Sequence, residues 1–213
     1  MPRWLMPLAL IAASSAWGGS LVYTTLTSWQ SSSPGSSAVL DFESSSISYY
    51  GSYSSSPYTF TAAAGGLYLL GGAASGTGSG HYLTTDGAST ILNIALATGI
   101  YGVAFNLGSN SGSPATGSIL ATDINGATYS TSSFTTSGPS GTAAFWGLRN
   151  DVQLVSLRIT FVSPVQPQID NVRYSSTALP SQGPAIPEPG TWILAVSSLG
   201  LVLLLRNALA KRQ

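Results

Sequence analysis

Apolar residues recur at every second position along most of this chain, and that alternation constrains the fold more than any other feature. In "GIYGVAFNL", Tyr101, Val103, Phe105 and Leu107 stand two residues apart, the spacing that lines one face of a pleated strand. "LVSLRITFV" repeats the pattern with Val155, Leu157, Ile159 and Phe161, while Ser156, Arg158 and Thr160 fall on the opposite face. "AVLDFE" (Ala38 to Glu43), "TILNIAL" from Thr90, "TAAFWGL" and "QIDNVRY" read the same way, and clusters of Gly, Ser, Pro and Asn separate them. "SILATDI" and "ATYSTSSF" flank Asn125-Gly126, a pair suited to a two-residue type I′ hairpin turn. No apolar pattern of helical period persists between Trp17 and Pro187. Roughly eight to ten short strands of this kind predict an all-β fold, an antiparallel β-sandwich of the jelly-roll type. Residues 38–176 suffice for one sandwich with its own core. Residues 17–37, rich in Ser and Thr, read as a leader or an edge strand, and the prolines of 177–186 make a semi-stiff spacer.

Charge narrows the function. Charged residues make up 7% of the chain, against roughly 25% in an ordinary globular protein. Between Trp17 and Ile186 the cations are Arg149, Arg158 and Arg173, and the anions are Asp41, Glu43, Asp86, Asp123, Asp151 and Asp170. A nucleic-acid partner requires clustered Lys and Arg against the phosphates, so none is expected. Cysteine is absent, which removes disulfides, thiolate nucleophiles and, with a single histidine, the usual zinc ligand sets.

The two ends read as addresses. "MPRWLMPLALIAASSAWGG" sets Arg3 before an apolar stretch and small residues after it. Ser14 and Ala16 suit the −3 and −1 positions of a signal peptide covering 1–16. At the far end, Thr191 to Leu205 carries no charge; as a helix it would reach about 22 Å, a marginal span for a hydrocarbon core of roughly 30 Å. Arg206, Lys211 and Arg212 follow it, and basic residues after the span predict a cytoplasmic end with the body outside. Pro187 and Pro189 bracket Glu188, and two prolines hold such a tripeptide stiff and extended.

Pro187-Glu188-Pro189, the transmembrane helix 191–205 and the basic tip together resemble the PEP-CTERM sorting signal of Gram-negative bacteria, over 187–213 only. Here "NALA" separates Arg206 from Lys211, so the basic residues are more spread than the pattern. The resemblance implies sorting by an exosortase, a membrane enzyme that would cut near the PEP motif. It also implies an inner-membrane-anchored precursor, then a place at the cell surface or in an extracellular polysaccharide and biofilm matrix. "FWGLRNDVQLVSLRITFVSPVQPQIDNVRY", with its F-x-G and I-D-N elements, is similar to the closing strands of sandwich domains in such proteins.

Few parts for chemistry remain. His81 sits in a Gly/Ser loop near Asp86 without a nucleophile-elbow context, and reads as a polar loop residue. Asp41 and Glu43, two apart on one strand face, would stand about 7 Å from each other. With Asp170 from the last strand, they are expected to offer oxygens to Ca²⁺. "DINGAT" at Asp123 lacks the spaced ligands of an EF-hand and reads as a turn. Tyr49, Tyr50 and Tyr53 in "ISYYGSYSSSPYTF" are candidate sugar-stacking rings, and Trp146 could do the same or fill the core; taken singly, each ring also suits a cross-strand aromatic pair. The reading that emerges is a non-enzymatic structural or polysaccharide-binding module. The alternatives are a glycan hydrolase using an Asp/Glu pair, or a plain membrane-anchored surface protein.

Overall fold

Alternating apolar residues must be covered on one face and wetted on the other, and two sheets packed face to face achieve this with one shared core. The computed structural model describes residues 20–33, 39–71, 80–111, 114–136 and 143–180. Among them run β1 (Leu21–Tyr23), α1 (Leu26–Ser32), β2 (Ser48–Tyr50), β3 (Tyr53–Ser55), β4 (Tyr58–Ala62), β5 (Leu67–Gly71) and β6 (His81–Thr85). There follow β7 (Ile91–Leu96), β8 (Gly102–Ser109), β9 (Ala115–Asp123), β10 (Thr128–Thr136), β11 (Ala144–Arg149), β12 (Leu154–Phe161) and β13 (Pro167–Ser175). They form a seven-stranded sheet, β1-β11-β8-β13-β6-β5-β2, and a six-stranded sheet, β10-β9-β12-β7-β4-β3. The antiparallel β-sandwich expected from the alternation is therefore present, with more and shorter strands than anticipated. The strands belong to a unit spanning Gly18–Ser181. The signal peptide 1–16, the spacer beyond 180, the PEP tripeptide, the helix 191–205 and the basic residues Arg206, Lys211 and Arg212 lie outside the described residues. Among the described residues no helix is long and apolar enough to cross a membrane.

Register delivers the core. Across the six-stranded sheet, Phe60 faces Ile94, Leu157 pairs with Ile94 and Ala121, and Ala121 pairs with Tyr129. Val103, Phe105 and Leu107 of β8 face them from the other sheet, all fully buried. Tyr101 falls short of this row: β8 begins at Gly102, and Tyr101 is only half-buried. Val155 also leaves the expected row. A bulge between Leu154 and Ser156 shifts the register against β9, so Leu154 enters the core in its place.

Three local features depart from the strand reading. Residues 21–23 do form an edge strand, paired to β11, but the short helix α1 follows. Thr25 caps α1, its Oγ1 accepting from the Ser28 amide. Trp29 of α1 is fully buried over Gly147; a Cβ at that glycine would come 2.6 Å from the Trp29 ring. Among its described residues, "AVLDFE" makes one bridge, Leu40 to Val172. It then turns, because Asp41 Oδ1 accepts the Glu43 amide and Phe42 takes a left-handed φ of 61°. The Asn125-Gly126 hairpin is present, but Gly126 alone has positive φ. The Gly126 amide bonds to Asp123 O and the Asp123 amide to Ala127 O. That makes a three-residue loop with a type I turn and a glycine bulge, not a type I′ turn.

Candidate functional site: a hydroxyl-lined groove on the six-stranded sheet

The residues that alternate with the core row make the outer face of the six-stranded sheet. One line across it runs Thr61, Asn93, Arg158, Leu120, Ser130, each paired to the next across neighbouring strands. The adjacent line runs Thr59, Ala95, Ser156, Thr122, Thr128. Five strands spaced about 4.8 Å apart make each line roughly 19 Å long. The strands are bent into a shallow open depression of about 330 Å³, lined by both lines from β4 to β9. A second depression of about 390 Å³ lies beside it, bounded by Ser54, Pro57, Tyr58 and Leu96. The two share Thr59 and Ala95. They therefore adjoin, and together form a groove over β3, β4, β7, β12 and β9. At its edge the Ser54 and Thr59 hydroxyls are 3.2 Å apart.

Chemically this surface offers hydroxyl and amide groups that both donate and accept, small apolar patches at Ala95 and Leu120, and one cation. Arg158 is exposed and lines the groove, and no carboxylate among the described residues does. The sequence pattern had already turned Ser156, Arg158 and Thr160 away from the core. What it lacked was the register that sets them beside Asn93, Thr61 and Thr122, which is a property of pairing and not of any one strand.

The residues expected to bind sugars fall elsewhere. Trp146 is buried on the inner face of β11 against Phe105, ring centroids 5.2 Å apart. Tyr53 packs into the core against Phe42, and its hydroxyl lies 2.6 Å from Ser45 Oγ. Tyr50 is half-buried and donates to the Ser46 carbonyl. Trp146, Tyr53 and Tyr50 thus serve packing, because hydroxyl-rich neighbours do not keep a ring exposed when a sheet lies beneath it. Only Tyr49 stays open, at 51% exposure, and its cross-strand neighbour Tyr68 joins it. Their rings meet edge to face at 62°, so they present no common plane.

The acidic residues are likewise dispersed. Asp41 and Glu43 share no strand face, and Glu43 Oε1 accepts the His81 amide at 2.9 Å. Asp170 is fully buried at a bulge of β13, where its carboxylate accepts the Asn171 amide and side-chain N–H. Among the described residues no group of three or more His, Cys, Asp or Glu could hold a metal ion. The expected calcium shell of Asp41, Glu43 and Asp170 is therefore not assembled. His81 opens β6 instead of lying in a loop, and its Nδ1 stands 3.1 Å from the Phe42 carbonyl. Asp86 accepts from the Gly66 and Ala88 amides. Asp123 holds the β9–β10 turn, accepting the Asn125 and Ala127 amides and the Tyr129 hydroxyl. These carboxylates fasten backbone.

The layered β architecture has distant counterparts among solved structures. The K2 cleaved adhesin domain of Lys-gingipain aligns with 65% of this chain and 98% of its own, at TM-score 0.45 and 11% identity. The family 11 carbohydrate-binding module of a cellulosomal cellulase of Clostridium thermocellum covers 68% and 96%, at TM-score 0.32 and 12% identity. An exo-β-agarase matches 69% of this chain over 25% of its length, at TM-score 0.36 and 15% identity. No family model and no curated protein matches the sequence. At these scores the likenesses carry nothing about ligand or activity.

Proposed function

We propose that this chain is an exported, exosortase-sorted protein of the cell envelope or extracellular matrix, whose jelly-roll sandwich binds polysaccharide without cleaving it. The observation that carries the binding half is the groove formed by the two adjoining depressions on the six-stranded sheet, rich in hydroxyl and amide groups and with no carboxylate among the described residues that line it. Such a surface exchanges hydrogen bonds with a polyhydroxylated chain, and its length accommodates several linked sugar rings. Glycoside hydrolysis would need two carboxyl groups facing across the bound sugar, and the groove provides none. The sorting half rests on the sequence of the tail, from Pro187 to Gln213, and on the signal-peptide pattern of 1–16. In this reading an exosortase at the inner membrane grips Pro187-Glu188-Pro189, and Arg206, Lys211 and Arg212 stop transfer.

Two measurements test the halves separately. Affinity electrophoresis of the secreted protein through gels carrying xylan, mixed-linkage β-glucan or polygalacturonate is expected to show retardation by at least one polymer. Ala95→Leu, which fills the junction of the two depressions, is expected to reduce it. Unretarded migration in every gel defeats the binding half. Mass spectrometry of protein collected outside the cell is expected to show a tail lost near Pro189, and retention of the precursor in Glu188→Ala. An intact tail in both defeats the sorting half.

A further inference from the structure

We propose that the groove selects an acidic polysaccharide, one that bears carboxylates along its chain, with Arg158 as the group that pairs with them. This rests on the binding reading above and names its ligand class. Three arginines occur among the described residues, and two are committed elsewhere. Arg149 is 2% exposed and donates through Nη2 to the Thr177 carbonyl at 2.6 Å. Arg173 is half-buried and donates through Nη1 to the Asn171 carbonyl at 2.7 Å. Arg158 alone is exposed, and it has no hydrogen-bond or ion-pair partner among the described residues.

Its setting fixes the sign of the ligand. Asn93 and Leu120 flank it across the strands, with Thr61 and Ser130 beyond. Nothing there competes for the guanidinium with a full negative charge. Of the exposed carboxylates, Asp41 accepts the Glu43 amide and Glu43 accepts the amide of His81, the first residue of β6. One face thus offers a single cation among hydroxyls, and Asp123, at the end of β9 in the same sheet, is buried and taken up by its turn. A guanidinium has five donors and no acceptor, and it pairs best with a planar carboxylate through two parallel hydrogen bonds. Neutral sugars can satisfy the hydroxyl lines but leave that fork to single, weaker bonds. A nucleic acid would need several cations in a row along the groove, and there is one.

The test uses one polymer in two charge states. The secreted full chain is titrated with polygalacturonate and with the same polymer fully methyl-esterified, at low salt. Wild type is expected to bind the acid form about tenfold more tightly, the worth of one good charge-assisted pair, and to lose that margin as salt rises. Arg158→Gln should erase the margin, weakening binding of the acid form more than binding of the ester. Arg158→Lys should keep part of it, since charge remains and the fork is gone. Arg158 is exposed, so both variants should melt with wild type, and the lysine variant answers the question even if the glutamine variant does not fold. Equal affinity of wild type for both polymers, or a margin that survives Arg158→Gln, overturns the acidic-ligand inference and leaves the binding reading standing. Binding to neither polymer, nor to the neutral gels above, overturns both.

Discussion

Asp123 gives the sharpest test of how this chain spends its few charges. It is 2% exposed, and its carboxylate accepts three hydrogen bonds: the Asn125 and Ala127 amides, both at 2.9 Å, and the Tyr129 hydroxyl at 2.8 Å. Bonds to a charged group contribute about 1.5–3 kcal/mol each when buried. Asn125 and Ala127 are exposed, so water can take over their amides after truncation and those two bonds count for little. The half-buried Tyr129 hydroxyl cannot be rescued so easily, and the turn loses its staple. Asp123→Ala should therefore cost about 3 kcal/mol. Asp123→Asn keeps one oxygen for the two amides and can exchange donor and acceptor with Tyr129, so it should cost about 1 kcal/mol. For a unit of this size these correspond to melting points lowered by about 6–12 °C and 2–4 °C, read by circular dichroism at neutral pH. If Asp123→Ala melts within about 2 °C of wild type, or the asparagine variant falls as far as alanine, the carboxylate does not hold the turn.

Two further outcomes follow from buried groups. The Tyr58 hydroxyl is buried without a hydrogen-bond partner, and burial, reinforced by the nearby Tyr174, pushes its pKa well above the ordinary value of 10.0. The folded state then keeps a proton that the unfolded chain releases, so this group's share of stability is intact below pH 10 and declines as pH climbs beyond it. Tyr58→Phe should remove that share of the alkaline decline and raise stability at pH 7 by about 1 kcal/mol, measured as urea midpoints from pH 7 to 11; a less stable variant at pH 7 would contradict it. At Gly147, an added methyl would lie 2.6 Å from Trp29 and 3.1 Å from the Ala104 side chain. Gly147→Ala should cost about 1–3 kcal/mol. Combined with Trp29→Ala it should cost clearly less than the sum of the two single changes, because both act on one contact; additive losses would show that α1 does not seat there.

The β-sandwich was legible because period-two alternation is a local property: Val103, Phe105 and Leu107, or Leu157, Ile159 and Phe161, announce their buried face wherever the strand ends up. What failed was set by distant partners. Trp29 looked like part of a polar leader until Gly147, more than a hundred residues on, supplied a gap for its ring. Tyr53 stood among serines, where four tyrosines could not all be buried, and Trp146 could stack on a sugar or fill the core; Phe42 and Phe105 lie against them in the core. Asp41 and Glu43 looked like one strand face because their spacing was right, but the Asp41 side chain bonds the Glu43 amide and Phe42 turns left-handed between them. Short polar side chains that can bond nearby backbone compete with strand geometry, and spacing alone cannot show which wins.

The same competition explains why the groove has its composition. A chain with few carboxylates that uses Asp86, Asp123 and Asp170 to fasten backbone sets none of the described ones in the groove on its outer sheet face. Thr and Ser fill that face instead; threonine in particular suits strands, and both hydroxyls keep it wet. Each hydroxyl pair formed with a ligand replaces a pair formed with water, so its net worth is about 0.5–1.5 kcal/mol. With no exposed aromatic ring among the described residues of the groove, one sugar segment would be held weakly. Affinity of practical size then comes from many segments engaged at once, either along a single long polymer or by many copies held close together. Delivery to a crowded surface or matrix, which the tail pattern implies, is the setting in which a site of this chemistry would work. Arg158 would then decide which polymer is held, and the hydroxyl lines how long it stays.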